Sequence, residues 1–196
     1  MLKEKLKNYN IILASGSPRR QQFFADLDIP FTVELKQVKE DYPSHLQGAE
    51  ISDFLSELKA NAFHKDLKPN DILITSDTIV WHKQKALGKP ENISDAAAML
   101  RSLSGDTHEV ITSVTITTIH RQYTMNSSTS VTFKELSREE IDHYIRTCNP
   151  IDKAGAYGIQ EWIGLIGITR IEGSYFNVVG LPTDLVYKAL VEISSL

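Results

Sequence analysis

Ile11-Ile12-Leu13-Ala14 and Ile72-Leu73-Ile74 are short apolar runs early in the chain. Runs this short, bounded by turn-forming residues, read as buried strands. The first stops at Ser15-Gly16-Ser17-Pro18. There Ser17 is a good N-cap and Pro18 suits a first helical position, so a helix is expected from about Pro18 to Leu27. The second stops at Thr75-Ser76-Asp77-Thr78, which places an aspartate at a strand end. Around these runs the periodicity alternates. Phe31 to Val38 reads as a weak strand, and Ile51 to Phe63 has the spacing of an amphipathic helix. Ser94 is expected to cap a helix that Gly105 stops. Glu109 to Ile119 and Tyr123 to Phe133, rich in Val, Ile and Thr, read as paired antiparallel strands. Ser137-Arg138-Glu139-Glu140 is a capping-box pattern opening a helix through Ile145. Ile163 to Ile171 reads as strand, Pro182 to Ile193 as a last helix, and Glu40 to Glu50 as a surface loop. Strands and helices interleaved in this way predict an α/β fold with a mixed sheet.

The 196 residues suit one compact domain, or two lobes around a shared sheet. With 41% hydrophobic and 23% charged residues the composition is that of a folded protein. Lysine and arginine total 21 against 25 acids, a net charge of −4 that argues against a nucleic-acid partner. No apolar run approaches the roughly 18 residues of a membrane span, and the charged start Met1 to Lys7 lacks the apolar stretch of a secretory signal. Cytoplasmic location is therefore the expectation. Cys148 is the single cysteine, so no internal disulfide is possible.

Four segments offer chemistry. Ser15 to Arg20 turns a strand into a helix, presenting backbone N–H groups and a positive dipole end together with the guanidiniums of Arg19 and Arg20. Arg20 lies four residues before Phe24 and projects onto the same face as the apolar stripe. Positive charge at a helix start is unfavourable without an anion, which favours a phosphate site over a merely solvated helix end. Lys59 falls inside an apolar stripe, either snorkelling along the core edge or reaching toward phosphate. Asp77 at its strand end either forms a turn or holds a cation or a water. In Asp152 to Gln160, two glycines permit close backbone approach, and Gln160 offers a donor and an acceptor to a base edge; an ordinary glycine turn is the alternative. Other motifs are missing. The chain has no Gly-x-x-x-x-Gly-Lys-Ser/Thr, no Gly-x-Ser-x-Gly elbow, and no His-x-x-x-His pair or cysteine–histidine cluster for zinc.

Taken in order, Ala14 to Arg20, Ser76-Asp77-Thr78-Ile79-Val80, Gly88-Lys89-Pro90, Met99 to Gly105 with His108, Asp152 to Gln160 and Val179-Gly180-Leu181-Pro182 resemble the Maf family of nucleoside triphosphate pyrophosphatases. The resemblance covers about Ile11 to Leu190. It implies a house-cleaning enzyme, linked by the family's name to septum formation and division arrest, that cleaves between the α and β phosphates with a divalent cation (Mg²⁺, Mn²⁺ or Co²⁺). It also implies a strongly bent mixed sheet flanked by helices, with two lobes of a single domain around an active-site cleft, and a homodimer. By matching position, Asp77 is the proton acceptor, with Glu40 beside it toward metal or water. Arg19, Thr78 and Gln160 are specificity positions, and Ser17, Arg20, Lys59 and Lys89 are phosphate-side residues.

Asp77-Thr78 and the Gly158-Ile159-Gln160 ending are similar to the dTTP/UTP branch rather than the 7-methyl-GTP branch. The sequence departs from the family pattern at Lys39, where an acid is usual, and at Glu161-Trp162, where glycine is common. Two competing expectations are a non-catalytic nucleotide-binding regulator and the same enzyme acting on 7-methyl-GTP.

Overall fold

A computed structural model describes residues 2–194 of the chain. In chain order the elements are α1 (Leu2–Lys5), β1 (Asn10–Leu13), α2 (Pro18–Asp26), β2 (Thr32–Val33), α3 (Ala49–Asn61), β3 (Asp71–His82), β4 (Lys85–Leu87), α4 (Ile93–Leu103), β5 (Thr107–Thr117) and β6 (Gln122–Phe133). There follow α5 (Arg138–Cys148), two 3-10 turns at Pro150–Asp152 and Ala154–Ala156, α6 (Trp162–Gly167), β7 (Ile168–Glu172), α7 (Tyr175–Val179) and α8 (Thr183–Ile193). Among the described residues the strands form a seven-stranded mixed sheet in the order β2-β1-β3-β5-β6-β7, with β4 paired to β3. The β1 pairings to β2 and β3 are parallel, whereas β3–β4 and β6–β7 are antiparallel. The expected mixed α/β architecture is the one observed.

The chain divides into two compact units. One comprises Met1–Asp77, Thr112–Ser127 and Gly180–Leu196, the other Thr78–Ile111 and Ser128–Val179. In the first, strand alternation sorts side chains onto two faces. Ile11, Leu13, Ile72, Ile74, Val114 and Ile116 enter one apolar cluster with Phe24 of α2 and Val186 and Leu190 of α8. Ile12 and Leu73 point the other way, to Ala60 and Phe63. The short apolar runs are thus buried on both sides, as β-strands in parallel pairing commonly are. In the second unit Val80, Leu100, Leu103, Phe133, Tyr144, Tyr157 and Ile163 share a separate cluster.

The structure corrects the sequence reading in four places. The strand expected over Phe31 to Val38 shrinks to Thr32–Val33, whose side chains are exposed, and the chain then runs irregularly to Gly48. The second apolar strand does not end at Thr75 to Thr78: β3 continues through them to His82, because Ile79 and Val80 resume the buried pattern. Asn92 rather than Ser94 caps α4, its side chain accepting from the Asp95 amide at 3.0 Å. Ile163 to Ile171 splits into α6 and β7. At Gly164 a Cβ would stand 1.8 Å from the Ile159 carbonyl oxygen, so only glycine lets this helix close against the preceding turn. The capping box at Ser137 is present with both of its hydrogen bonds.

Candidate active site

In β3 the same alternation that sends Leu73 toward α3 sends Thr75 and Asp77 there too. From α3, Ser52, Ser56 and Lys59 come back at helical spacing onto that face. Ser56 and Thr75 bond reciprocally: the Thr75 hydroxyl donates to the Ser56 carbonyl at 2.8 Å, and the Ser56 hydroxyl donates to the Thr75 carbonyl at 3.3 Å. Thr115 donates to Ser56 at 2.8 Å and Ser113 to Ser52 at 2.7 Å, extending a buried polar seam along the helix. A hydroxyl seam has directional bonds where an apolar contact can slide, so it fixes the register of α3 against the strands. One helical turn beyond Ser56 and two strand residues beyond Thr75, that register brings Lys59 Nζ to 2.6 Å from Asp77 Oδ1.

Asp77 is 8% exposed. Burial raises its pKa, while the charge and hydrogen bond of Lys59 and the charge of Arg20 oppose the rise. Lys59 also reaches Glu40 Oε1 at 3.1 Å, so one ammonium holds two carboxylates, that of Glu40 being half-exposed. The apolar stripe therefore carries Lys59 neither along the core edge nor out to solvent, but onto a strand carboxylate.

At the end of β1, Ser17 caps α2, accepting from the Arg20 amide at 3.5 Å. No acidic residue stands in the first turn of α2, where Arg19 and Arg20 do. The Arg20 guanidinium donates from Nε to the Gly180 carbonyl at 2.7 Å, and from one terminal nitrogen to the Ser76 carbonyl at 3.0 Å and the Ser15 hydroxyl at 3.3 Å. It braces the β1–α2 turn to β3 and to the segment before α8. Its burial is costly, which lowers its pKa against the pull of Asp77. Ser76 Oγ, on the strand face opposite Asp77, is buried with no hydrogen-bond partner among the described residues. Ser17, Arg19, Arg20, Glu40, Lys59 and Asp77 thus all belong to the first unit, and the structure joins Arg20, Glu40, Lys59 and Asp77 electrostatically.

Thr78, Lys89 and Gln160 belong to the second unit. Thr78 is half-buried in β3, Lys89 is exposed after β4, and Gln160 is exposed in the turn before α6. Gly155 has φ +67 and a Cβ there would meet Val80 Cγ2 at 2.8 Å, so the close approach expected of this glycine is made to β3. Sequence reasoning missed what lies behind Gln160. Lys153, 7% exposed, pairs with Asp152 at 2.7 Å and with Glu161 at 3.1 Å. Tyr144 donates its hydroxyl to Glu161 and accepts from the Gly158 amide at 3.0 Å. The signal available was Glu161 itself, an acid where glycine is common.

Two carboxylates and no soft ligand suit a hard divalent cation, which characteristically takes one or two protein carboxylates and completes its shell with phosphate oxygens and water. Among the described residues no group of three His, Cys, Asp or Glu could hold a metal by itself. The residues present therefore fit a cation that arrives with a polyphosphate. No helix among the described residues is long and apolar enough to cross a membrane.

A "dTTP/UTP pyrophosphatase" of Flavobacterium johnsoniae is 60% identical over 193 residues, covering 98% of this chain and 100% of that protein. Proteins of the same name from Christiangramia forsetii and Phocaeicola vulgatus are 59% and 49% identical, covering 98% and 97% of this chain and 98% and 99% of theirs. Among solved structures the Staphylococcus aureus Ham1 protein aligns with a TM-score of 0.45 at 13% identity, over 63% of this chain and 71% of that one, a likeness too loose to build on. The model of the family described as "Maf-like protein" matches residues 10–193, and with relatives this similar along nearly the whole chain, the protein belongs to the Maf family.

Proposed function

We propose that this protein hydrolyses dTTP and UTP to the nucleoside monophosphate and pyrophosphate. The observation that carries the reaction is Asp77, a buried carboxylate held by Lys59 in a cation-rich setting. A protein that only bound nucleotides would gain from Arg19, Arg20 and Lys59, but it would have no use for a carboxylate turned toward a polyanion. The pyrimidine substrates rest on the names of the relatives and on Thr78 and Gln160.

A triphosphate brings about four negative charges, which must be offset before water can approach the α phosphorus. Arg19, Arg20, Lys59 and Lys89 are assigned to that task, with Ser17 and the amides at the start of α2 binding phosphate oxygens. Asp77 orients the attacking water and accepts its proton. The new bond joins that water oxygen to the α phosphorus, and the bond from the α phosphorus to the bridging oxygen breaks, so pyrophosphate leaves with the electron pair. A divalent cation held by Asp77 and Glu40 supplies further neutralisation of the phosphates when bound. The charges of Lys59 and Arg20 oppose the rise that burial gives the Asp77 pKa, and so favour the anionic form that can accept a proton.

Thr78, Arg19 and Gln160 are assigned to base and sugar recognition. We also take the two units as one functional domain, since the family match runs through both. A cytoplasmic homodimer belongs to this reading, and light scattering in solution tests the dimer. The main experiment compares pyrophosphate release from dTTP by the wild type and by Asp77→Asn. The variant is expected to fold and to lose on the order of 10²- to 10⁴-fold in kcat; turnover within threefold of wild type refutes the assignment.

A further inference from the structure

We propose that Glu161, clamped by Lys153 and Tyr144, is a positioning residue that sets the choice of base by fixing the turn that carries Gln160. This rests on the reading of Gln160 as a base-recognising residue. Gly158 to Glu161 form a tight turn, closed by the Glu161 amide donating to the Gly158 carbonyl at 3.0 Å. One buried hydroxyl spans its two ends: Tyr144 accepts from the Gly158 amide and donates to the Glu161 carboxylate. The other carboxylate oxygen takes Lys153 at 3.1 Å. A Cβ at Gly158 would lie 2.9 Å from Glu161 Cδ and 3.0 Å from Gln160 Nε2, so both side chains fold back over the glycine. Gln160 stands exposed between two anchored ends.

The chemistry explains why anchoring matters. Uracil and thymine present an N–H donor beside a carbonyl acceptor, and cytosine presents the reverse. A glutamine amide matches either pattern, because exchanging its oxygen and nitrogen by rotation converts one match into the other. An amide that rotates freely discriminates little, whereas a fixed one leaves unpaired polar groups against the wrong base. Burying Lys153 is expensive unless its carboxylates are in place, so the clamp is held by the cost of opening it. Tyr144 stays protonated and able to donate, because burial and the Glu161 carboxylate both push its pKa up.

The test measures kcat/KM for UTP and CTP in the wild type, Glu161→Ala, Glu161→Gln and Tyr144→Phe, with thermal unfolding of each. The UTP-to-CTP ratio is expected to fall at least tenfold in Glu161→Ala, mainly through KM for UTP. Tyr144→Phe, which keeps the ring in the core, is expected to lower it part of the way, and Glu161→Gln, which keeps an acceptor for Tyr144, to recover most of it. A merely structural Glu161 lowers the melting temperature and leaves the ratio within twofold, which overturns the proposal, as does a wild type that turns over UTP and CTP equally. ¹⁵N relaxation of the Gln160 amide reads the clamp without any reaction: its order parameter is expected to fall from a rigid value near 0.85 to below about 0.6 in Glu161→Ala. A wild type that releases no pyrophosphate from either pyrimidine refutes the proposed function, and the clamp is then decided by relaxation, unchanged order overturning it.

Discussion

Asp77 and Lys59 lie 18 positions apart in the chain and 2.6 Å apart in space, and the chemistry proposed above depends on that short distance. A buried carboxylate is pulled toward its neutral form, in which it accepts no proton, and Lys59 supplies the opposing charge. Replacing Lys59 with Met takes that charge away, so the Asp77 pKa moves further up and the acid limb of the kcat/KM profile shifts to higher pH. A pH series with dTTP checks this, and an unmoved limb contradicts it. Arg20 has a double duty at the same scale. It is assigned to phosphate, yet it also binds the carbonyls of Gly180 and Ser76. Arg20→Ala is therefore expected to cost about 2 to 3 kcal/mol of stability in urea unfolding as well as activity, because those carbonyls lose a charged donor. Arg20 was legible as a candidate because a basic pair opening a helix is unusual, and Asp77 because a carboxylate stood at the expected end of an apolar strand. That they act on one another was not legible, since it depends on the face of β3 to which Asp77 points and on the turn that brings Arg20 to the Ser76 carbonyl.

At the scale of the element, the seam between α3 and the strands positions the site. Ser52, Ser56, Thr75, Ser113 and Thr115 are all fully or almost fully buried, yet none is a residue type that signals a core. Thr75→Val keeps the shape and removes the hydroxyl. It is expected to cost about 1 to 2 kcal/mol and to lower the melting temperature by roughly 2 to 8 °C, whereas Thr75→Ser keeps the bond to Ser56 and costs less. Equal melting temperatures for Thr75→Val and wild type would show that the seam holds nothing. Gly164→Ala is harsher, because its Cβ would overlap the Ile159 carbonyl, and a loss of at least about 3 kcal/mol is expected. Elements with strong local signals were read correctly: the Ser17 cap, the Ser137 capping box and the apolar runs. Those decided by packing were not. Ile163 to Ile171 has the composition of a strand, but Gly164 fits under Ile159 only as a helix. Thr75 to Thr78 reads as a strand end until Thr75 and Asp77 are found buried on the face of β3 that α3 covers.

For the molecule as a whole, a net charge of −4 is compatible with an anionic ligand because charge acts locally. Arg19 and Arg20 share one helix start and Lys59 shares their unit, while acidic residues dominate the total. Stability also carries a whole-molecule pH signature. His108 is 2% exposed, its Nε2 is 2.7 Å from the Tyr157 hydroxyl, and its pKa is pushed down to about 4 by burial, with His82 adding to the fall and Asp106 opposing it. The unfolded chain protonates this imidazole near its ordinary value of about 6.5, so below that pH the unfolded state binds more protons and stability falls as pH drops from about 6.5 to 4. The loss reaches about 3 kcal/mol at the lower end. Urea midpoints at pH 7, 5.5 and 4.5 are expected to fall in the wild type and to change less in His108→Gln; parallel curves would mean that another group titrates.

Product analysis after incubating the wild-type protein with UTP and Mg²⁺ tests the central claim most directly. UMP and pyrophosphate in equal amounts are the predicted products, formed also from dTTP. Appearance of UDP with orthophosphate, or UTP recovered intact, would contradict the account.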